Sequence, residues 1–335
     1  MINLILSSEI TLDMVRVTEA AALTGSLHLG RGDKNRVDQA AVDAMRGALD
    51  YLDIKGTIVI GEGEKDKAPM LYVGEEVGSW NENATEIDIA VDPIDGTRSV
   101  AYGKPNAISV IAAAEHGKIA SLPTFYSNKL AVGKELADKL DIDAPIRENL
   151  RIAAAALGIK VSELTVSILD RERHYDMIKE IRRVGARIRF VTEGDVASAI
   201  ATALPESGID IYMGIGGSPE GVLAAAALKC LGGEIQIKPW PRDEQEKDEM
   251  EAKGVDFDRV FFTDDLVGGD NVIFSATGVT DGSFLKGVRY RRNIAITESI
   301  VMRSVSRTVR RITAYHDLEF KTVTTKTLGE RKLIT

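Results

Sequence analysis

In the N-terminal part of the chain, apolar and polar positions follow two different periods. Apolar residues three or four positions apart predict amphipathic helices over roughly 11–29 and 36–52. The runs 56–60 and 87–91 are strand-like, and 107–114 is a continuous apolar run. This part of the chain is therefore predicted to mix helices with strands.

From about residue 147 onward, the pattern predicts helices and strands in regular alternation. The predicted elements are helices ending near residues 157, 184, 204 and 231 and strands over 165–169, 187–191 and 209–213. Such alternation favours α/β layers with some parallel strand pairing. The fold class predicted is α/β, with two tightly packed halves at 1–150 and 151–335. A solvated helix is expected over 242–253 and a polar tail after about residue 319.

Composition and charge narrow the class of protein. The 335 residues are 44% hydrophobic and 28% charged, as expected for a globular protein. A formal charge of −9 argues against nucleic-acid binding, which needs a basic surface. Cys230 is the only cysteine, which fits a reducing compartment, and no apolar run is long enough to cross a membrane. We therefore expect a cytoplasmic protein without nucleic-acid or membrane partners.

The second predicted helix carries an acidic residue in line with its apolar stripe. The stripe consists of Val42, Met45, Leu49 and Leu52, and Asp38 precedes it by about one helical turn. An inward-facing carboxylate is costly unless it is paired or binds a metal ion. The alternative is that Asp38 simply complements the positive end of the helix dipole.

Two further acidic segments follow strand-like runs. Glu62 and Glu64 end a β-rich run, separated by a glycine, so they project to the same side if the strand continues; a polar turn is the alternative. In the run from Glu86 to Thr97, Asp92 comes at the strand end, where Pro93 is expected to stop the ladder. Asp95 follows on the predicted turn. Carboxylates grouped this way suit hard divalent cations, and the following Gly96 and Thr97 could bind phosphate through N–H groups and a hydroxyl.

These segments carry a family resemblance. Asp92-Pro-Ile-Asp-Gly-Thr97 resembles the signature of the lithium-sensitive, magnesium-dependent sugar and inositol phosphatases. The wider set of motifs resembles class II fructose-1,6-bisphosphatases over nearly the whole chain. These motifs are Gly30-Arg-Gly-Asp-Lys-Asn35, Asp38, Ile58-Val-Ile-Gly-Glu-Gly-Glu64, Ala68-Pro-Met-Leu71, the Asp92 turn and Gly214-Ile-Gly-Gly-Ser-Pro-Glu-Gly221.

The resemblance implies a layered α-β-α-β-α sandwich of the sugar phosphatase type and a role for each matching residue. The implied metal ligands, for Mg²⁺ or Mn²⁺, are Asp38, Glu62, Asp92, Asp95 and Glu220. The implied substrate contacts are Asp95, Gly96, Thr97, Tyr126, Arg171, Glu172, Arg173, Glu193, Gly194, Asp195 and Gly217. Three positions depart from the bacterial pattern: Asp95 is often Glu there, Arg171-Glu172 is often Lys-Pro, and Glu193 is often Asp. Exposed arginines flank many strands, so without the resemblance Arg171 and Arg173 would carry little weight.

The expected chemistry is metal-assisted hydrolysis of a phosphomonoester. Thr97, hydrogen-bonded to an acidic partner such as Glu64 or Asp66, is expected to orient the attacking water; the alternative is that it caps the following helix. By resemblance the substrate is fructose 1,6-bisphosphate, with sedoheptulose 1,7-bisphosphate as a second, in carbohydrate metabolism such as gluconeogenesis. A homo-oligomer, dimer or tetramer, is expected from the family. An inositol or other monophosphate phosphatase and a non-catalytic sugar-phosphate sensor are the alternatives.

Overall fold

The computed structural model describes residues 8–63, 70–122, 124–325 and 331–333. Contacts between Cα atoms divide the chain into two compact units. Unit 1 comprises Met1–Ile119 and Gly269–Thr335, and unit 2 comprises Ala120–Gly268. The sequence analysis placed one boundary near residue 150, whereas the chain leaves unit 1 after residue 119 and returns at residue 269. The return depends on pairing between strands far apart in sequence, which local patterns do not reveal.

The helices and strands are numbered in chain order. The helices are α1 (Ser8–Ser26), α2 (Lys34–Leu49), α3 (Thr97–Ala101), α4 (Ile146–Leu157), α5 (Tyr175–Val184), α6 (Val196–Ala201), α7 (Ser218–Leu231), α8 (Glu244–Ala252) and α9 (Thr263–Leu266). The first eight strands are β1 (Ile54–Ile60), β2 (Glu76–Val77), β3 (Thr85–Asp95), β4 (Ile108–Glu115), β5 (Tyr126–Val132), β6 (Thr165–Leu169), β7 (Arg187–Val191) and β8 (Ile211–Gly217). The others are β9 (Glu234–Trp240), β10 (Phe261–Phe262), β11 (Ile273–Gly278), β12 (Arg289–Arg291), β13 (Ile294–Arg303), β14 (Thr308–Asp317), β15 (Thr322–Thr324) and β16 (Arg331–Leu333).

Unit 1 is built on an eight-stranded sheet in the order β12-β13-β11-β4-β3-β1-β2, with β14 also paired to β13. β1 and β3 run parallel, and β3, β4, β11 and β13 are joined by antiparallel pairs. The amphipathic helices α1 and α2 bury their apolar stripes on this sheet. Met14 of α1 and Met45 of α2 share one core with Ile58 and Ile89 of the sheet. The apolar stripe of α2 therefore fixes where Asp38 lies.

Unit 2 is built on a six-stranded sheet in the order β10-β9-β5-β8-β6-β7. Side chains alternate between the two faces of each strand. Leu130 of β5 and Met213 of β8 pack in a core with residues of α4 and α5. Lys129 and Tyr212, one position earlier on the same strands, point to the opposite face, on which α7 packs. Helices thus cover both faces of this sheet.

The predicted mixed α/β class is confirmed, and β6 and β7 match the predicted strands 165–169 and 187–191. The solvated helix predicted over 242–253 corresponds to α8. Two details were wrong. The ladder of β3 continues past Pro93 to Asp95, with a register shift between Asp92 and Asp95 that removes the need for an N–H at the proline. Part of the expected polar tail forms strands β15 and β16.

No helix in the described part of the chain is both long enough and apolar enough to cross a membrane.

Candidate active site

Acidic residues of unit 1 gather at the carboxyl ends of two adjacent parallel strands. β1 and β3 pair from Ile54 opposite Thr85 to Ile60 opposite Ala90, so both strands end at the same edge of the sheet. Glu62 follows β1 by two residues and is exposed. Asp92 and Asp95 lie near the carboxyl end of β3, where Asp92 is half-buried and Asp95 is buried. The strand order therefore brings these three predicted ligands to one edge.

The end of β3 is shaped by a local side-chain bond and one glycine. Asp92 Oδ1 accepts a hydrogen bond from the Ile94 N–H at 3.0 Å, which stabilises the bulge beside Pro93. Gly96 has a φ of 91°, a left-handed conformation that a residue with a side chain adopts only with strain. This turn sets the direction of Thr97, the first residue of α3.

Thr97 and Asp38 of this group are joined by a hydrogen bond. The Thr97 hydroxyl donates to Asp38 Oδ1 at 2.6 Å, and its oxygen lies 3.2 Å from the Ile94 carbonyl oxygen. Burial raises the pKa of the half-buried Asp38 carboxyl, while the hydrogen bond from Thr97 and the charge of Lys34 oppose that shift. The N-cap residue of α3 is Gly96, and Thr97 is the first residue of the helix, with its hydroxyl bonded to Asp38.

Thr97 was expected to pair with Glu64 or Asp66. Both residues lie outside the described part of the chain, so their role stays a prediction. The partner seen in the structure is Asp38, a residue that the resemblance placed among the metal ligands.

Unit 2 contains a second group of charged residues, which is almost fully buried. Lys129 is 2% exposed and Asp195 is 5% exposed. The Lys129 ammonium donates to Asp195 Oδ2 at 2.7 Å, and the Tyr212 hydroxyl donates to the same oxygen at 2.8 Å. Asp195, a predicted substrate contact, is therefore held by two donors.

Two glycines at the end of β8 make room for this group. A Cβ at position 216 would collide with the Asp195 carboxylate, and a Cβ at position 217 would collide with the Glu220 carboxylate. Glu220 lies in the first turn of α7, and its Oε2 is buried without a hydrogen-bond partner among the described residues. Burial raises the pKa of Glu220; the positive charge of Lys129 opposes this shift, and the negative charge of Asp195 adds to it.

Aromatic and guanidinium groups lie at the start of β5, where Tyr126 pairs with Gly217 at the end of β8. The Arg173 guanidinium is 5.0 Å from the centre of the Tyr126 ring, and that ring is 6.4 Å from the ring of Trp240. Arg173 also donates through Nε and Nη2 to the Ile215 carbonyl at 3.1 and 2.8 Å. The structure thus places two predicted substrate contacts, Tyr126 and Arg173, against each other.

The remaining predicted contacts lie on two neighbouring loops of unit 2. An Arg171 side-chain nitrogen is 3.7 Å from Glu193 Oε1, and Glu172 is exposed. Gly194, next to Glu193, has a φ of 70°. The Arg171 and Glu193 loops, which follow the parallel strands β6 and β7, therefore meet at one edge of the sheet.

Sequence analysis missed three residues that organise unit 2: Lys129, Tyr212 and His174. His174 is fully buried, with Nδ1 2.7 Å from the Leu169 carbonyl oxygen and Nε2 accepting from the Ile215 N–H at 2.7 Å. Burial lowers the pKa of His174, and its two hydrogen bonds fix the orientation of the ring. A lysine next to the apolar run 130–132 was a usable signal for Lys129, whereas the role of His174 depends on distant backbone atoms.

The two groups belong to different units, and the predicted joining of both in one site stays a prediction. As they stand, no three of the described histidine, cysteine or acidic side chains lie close enough to hold a metal ion. Cys230 is buried.

An α/β fold that presents carboxylates and a threonine hydroxyl at the ends of parallel strands is suited to hydrolysing phosphate esters. Comparison with known proteins supports this class, the phosphoric monoester hydrolases. More narrowly, the chain belongs to the family described as bacterial fructose-1,6-bisphosphatase, glpX-encoded, whose model matches residues 8–316.

Individual relatives agree with the family match. The chain is 45% identical over 326 residues to fructose-1,6-bisphosphatase 1 class 2 of Escherichia coli K12, covering 93% of this chain and 96% of that protein. The class 2 fructose-1,6-bisphosphatases of Escherichia coli O6:H1 and Shigella flexneri match with the same identity and coverage. The predicted class II family is confirmed.

Proposed function

We propose that the protein hydrolyses the 1-phosphate of fructose 1,6-bisphosphate, giving fructose 6-phosphate and inorganic phosphate. The observation that carries the proposal is the 2.6 Å hydrogen bond from Thr97 to Asp38, beside Asp92 and Asp95 at the end of β3. The family match over residues 8–316 supports the choice of substrate.

The acidic residues fit divalent cations by their chemistry. Carboxylate oxygens are the ligands that Mg²⁺ and Mn²⁺ prefer, and the buried Oε2 of Glu220 lacks a hydrogen-bond partner among the described residues. The residues that would hold the metal are Asp38, Glu62, Asp92, Asp95 and Glu220. When bound, the cations neutralise charge on the phosphoryl oxygens and make a water molecule more acidic.

Thr97 orients the attacking water in this proposal. Its proton is directed at Asp38 Oδ1, so the lone pairs of its oxygen point elsewhere and can accept a hydrogen bond from water. The N–H groups of Gly96 and Thr97 face the phosphate. Positioning of this kind, together with charge stabilisation, accounts for most of the catalysis in phosphoryl transfer.

Residues of unit 2 bind the rest of the substrate. Arg171 and Arg173 hold the distal phosphate, with Tyr126 packed beside the Arg173 guanidinium. Asp195 accepts a hydrogen bond from a sugar hydroxyl. The contact of Arg173 with the Ile215 carbonyl fixes its plane in advance, which lowers the entropy cost of binding.

A phosphate-release screen tests the proposal. Purified protein is assayed with fructose 1,6-bisphosphate, sedoheptulose 1,7-bisphosphate and inositol monophosphate, each with Mg²⁺, with Mn²⁺ and after chelation. We expect release from fructose 1,6-bisphosphate that depends on metal, with sedoheptulose 1,7-bisphosphate as a second substrate. Release from inositol monophosphate alone would favour the monophosphatase alternative, and binding of the bisphosphate without turnover would favour the sensor.

Four further expectations accompany this function. They are a homo-oligomeric assembly, a cytoplasmic location, the absence of nucleic-acid and membrane partners, and a role in carbohydrate metabolism such as gluconeogenesis. Each stays a prediction.

A further inference from the structure

The buried Lys129 side chain of unit 2 lies against two glycines, Gly216 and Gly221. It lies on β5 and is 2% exposed. A Cβ at position 221 would lie 3.3 Å from its Cε, and a Cβ at position 216 would lie 3.1 Å from its Nζ. Any side chain at these positions would narrow the path that the lysine follows. The ammonium is thereby delivered to the end of β8, where Asp195 and Glu220 lie.

The ammonium and a tyrosine fix the same oxygen of one carboxylate. Lys129 Nζ and Tyr212 OH donate to Asp195 Oδ2 at 2.7 and 2.8 Å. A carboxylate held at one oxygen by two donors cannot rotate without losing both bonds. Oδ1 of Asp195 is consequently held in a defined direction. That direction matters because Asp195 is the residue proposed to meet a sugar hydroxyl.

The strand itself does not require a charge at this position. Leu130, Ala131 and Val132 continue β5 as buried apolar residues. A buried ion pair is commonly no more stabilising than apolar residues of similar volume, so packing alone gives no reason for a lysine here. The charge also faces Glu220, whose carboxylate lies over Gly217.

We propose that Lys129 is a positioning residue for the reaction: it holds Asp195 so that Oδ1 meets the substrate. The proposal rests on the proposed function, since Asp195 is taken to touch the sugar. Lys129 itself touches neither the sugar nor the phosphate.

A double-mutant cycle between Lys129 and Asp195 tests this role. Lys129→Met keeps most of the side-chain volume and removes the charge, and we expect kcat/KM for fructose 1,6-bisphosphate to fall about 10- to 100-fold, the usual range for residues that orient a ligand-binding group. In an Asp195→Ala background the same change should have almost no further effect, because no side-chain oxygen remains for Lys129 to position. Effects that multiply would overturn the proposal, since a lysine that only stabilises the fold would act in either background.

Lys238→Met is the matched control. Lys238 lies on the neighbouring strand β9, and its Nζ is also 2.7 Å from a carboxylate, that of Asp143. It pairs in register with Asn128, so its side chain points to the face of the sheet opposite Lys129. We expect unchanged kcat/KM in this variant. A loss equal to that of Lys129→Met would show that removing any lysine ion pair from this sheet is enough, and would overturn the proposal.

Tyr212→Phe is the second variant, and it decides the question if Lys129→Met does not fold. It removes the other donor to Asp195 Oδ2 and leaves the ammonium in place. We expect a smaller fall in kcat/KM, which again disappears with Asp195→Ala; a fall of the same size in both backgrounds would count against the proposal.

A crystal structure of the Lys129→Met or Tyr212→Phe variant separates this proposal from the proposed function. We expect the Asp195 carboxylate to leave its place beside Gly216. If the unmodified protein releases no phosphate from fructose 1,6-bisphosphate, the proposed function fails. The crystal structure of the variant alone then shows whether Lys129 and Tyr212 position the Asp195 carboxylate. An unmoved Asp195 carboxylate would overturn the positioning role.

Discussion

Replacing Thr97 by Ala tests the centre of the proposed mechanism. The change removes the hydroxyl that donates to Asp38 at 2.6 Å and leaves the acidic residues in place. We expect kcat to fall by about 10²-fold, the scale of a positioned proton-transfer group, equivalent to about 2.7 kcal/mol of activation free energy. Thr97→Ser keeps the hydroxyl and should keep much of the rate.

The same change should alter stability only modestly. Asp38 is half-buried, so water can replace part of the lost hydrogen bond, and we expect a cost of about 1 kcal/mol. In a chain of 335 residues that cost lowers Tm by about 1–2 °C. The catalytic effect is therefore the larger one.

The pH dependence of that stability loss has a definite sign. Burial raises the pKa of Asp38, so the folded protein binds this proton more tightly than the unfolded chain, and the carboxyl disfavours folding as pH rises above its unfolded pKa. Thr97 opposes the shift, and its removal raises the pKa of Asp38 further. In chelated protein, the difference in Tm between Thr97→Ala and the unmodified protein should be small below about pH 4 and larger at neutral pH.

Steady-state kinetics and melting curves of the Ala and Ser variants provide the measurements. An Ala variant with nearly normal kcat would refute the proposed role of the hydroxyl. A Tm difference that is larger at low pH than at neutral pH would contradict the stated effect on Asp38.

Three other predictions concern metal, substrate and core. Asp92→Ala should abolish phosphate release while circular dichroism stays unchanged, as chelation should also do; full turnover after exhaustive chelation would exclude the metal. Arg171→Ala and Arg173→Ala should each raise KM for fructose 1,6-bisphosphate more than they lower kcat. Only Arg173→Ala should also lower Tm, because this variant loses the hydrogen bonds from Arg173 to the Ile215 carbonyl. An unchanged KM in both variants would remove these arginines from the site. Burial raises the pKa of Cys230 to about 12, so a thiol reagent at pH 8 should label it only on unfolding, and rapid labelling of native protein would contradict its place in the core.

Local patterns predicted the elements that carry the site better than the contacts between them. The apolar stripe of α2 predicted that Asp38 lies on the inward side of that helix. The strand ending near Asp92 was predicted from its apolar alternation. The hydrogen bond between Asp38 and Thr97 was not predicted, because the two residues are 59 positions apart and meet only when α2 packs beside β3. Sequence spacing gave no information on that distance.

Other features depended on pairing at long range. Pro93 was expected to end a strand, since a proline cannot donate to a ladder, but a bulge accommodates it and the strand continues to Asp95. The division of the chain into units was likewise hidden, because Ile273 of β11 pairs with Ala113 of β4 across a large separation in sequence. Such pairing leaves no mark in a local hydrophobic pattern.

The position of β11 between β4 and β13 has a consequence for synthesis of the chain on the ribosome. β4 is almost entirely buried in the finished sheet, and its neighbour β11 begins 158 positions after Glu115. At a synthesis rate of roughly 5–20 residues per second, the edge of β4 that pairs with β11 stays unpaired for about 8–30 s. Unit 2, which is continuous in sequence, can fold during that interval. A nascent chain stalled before residue 269 would leave this edge of the apolar strand β4 without its partner. Such an unpaired strand edge is prone to pairing with other chains.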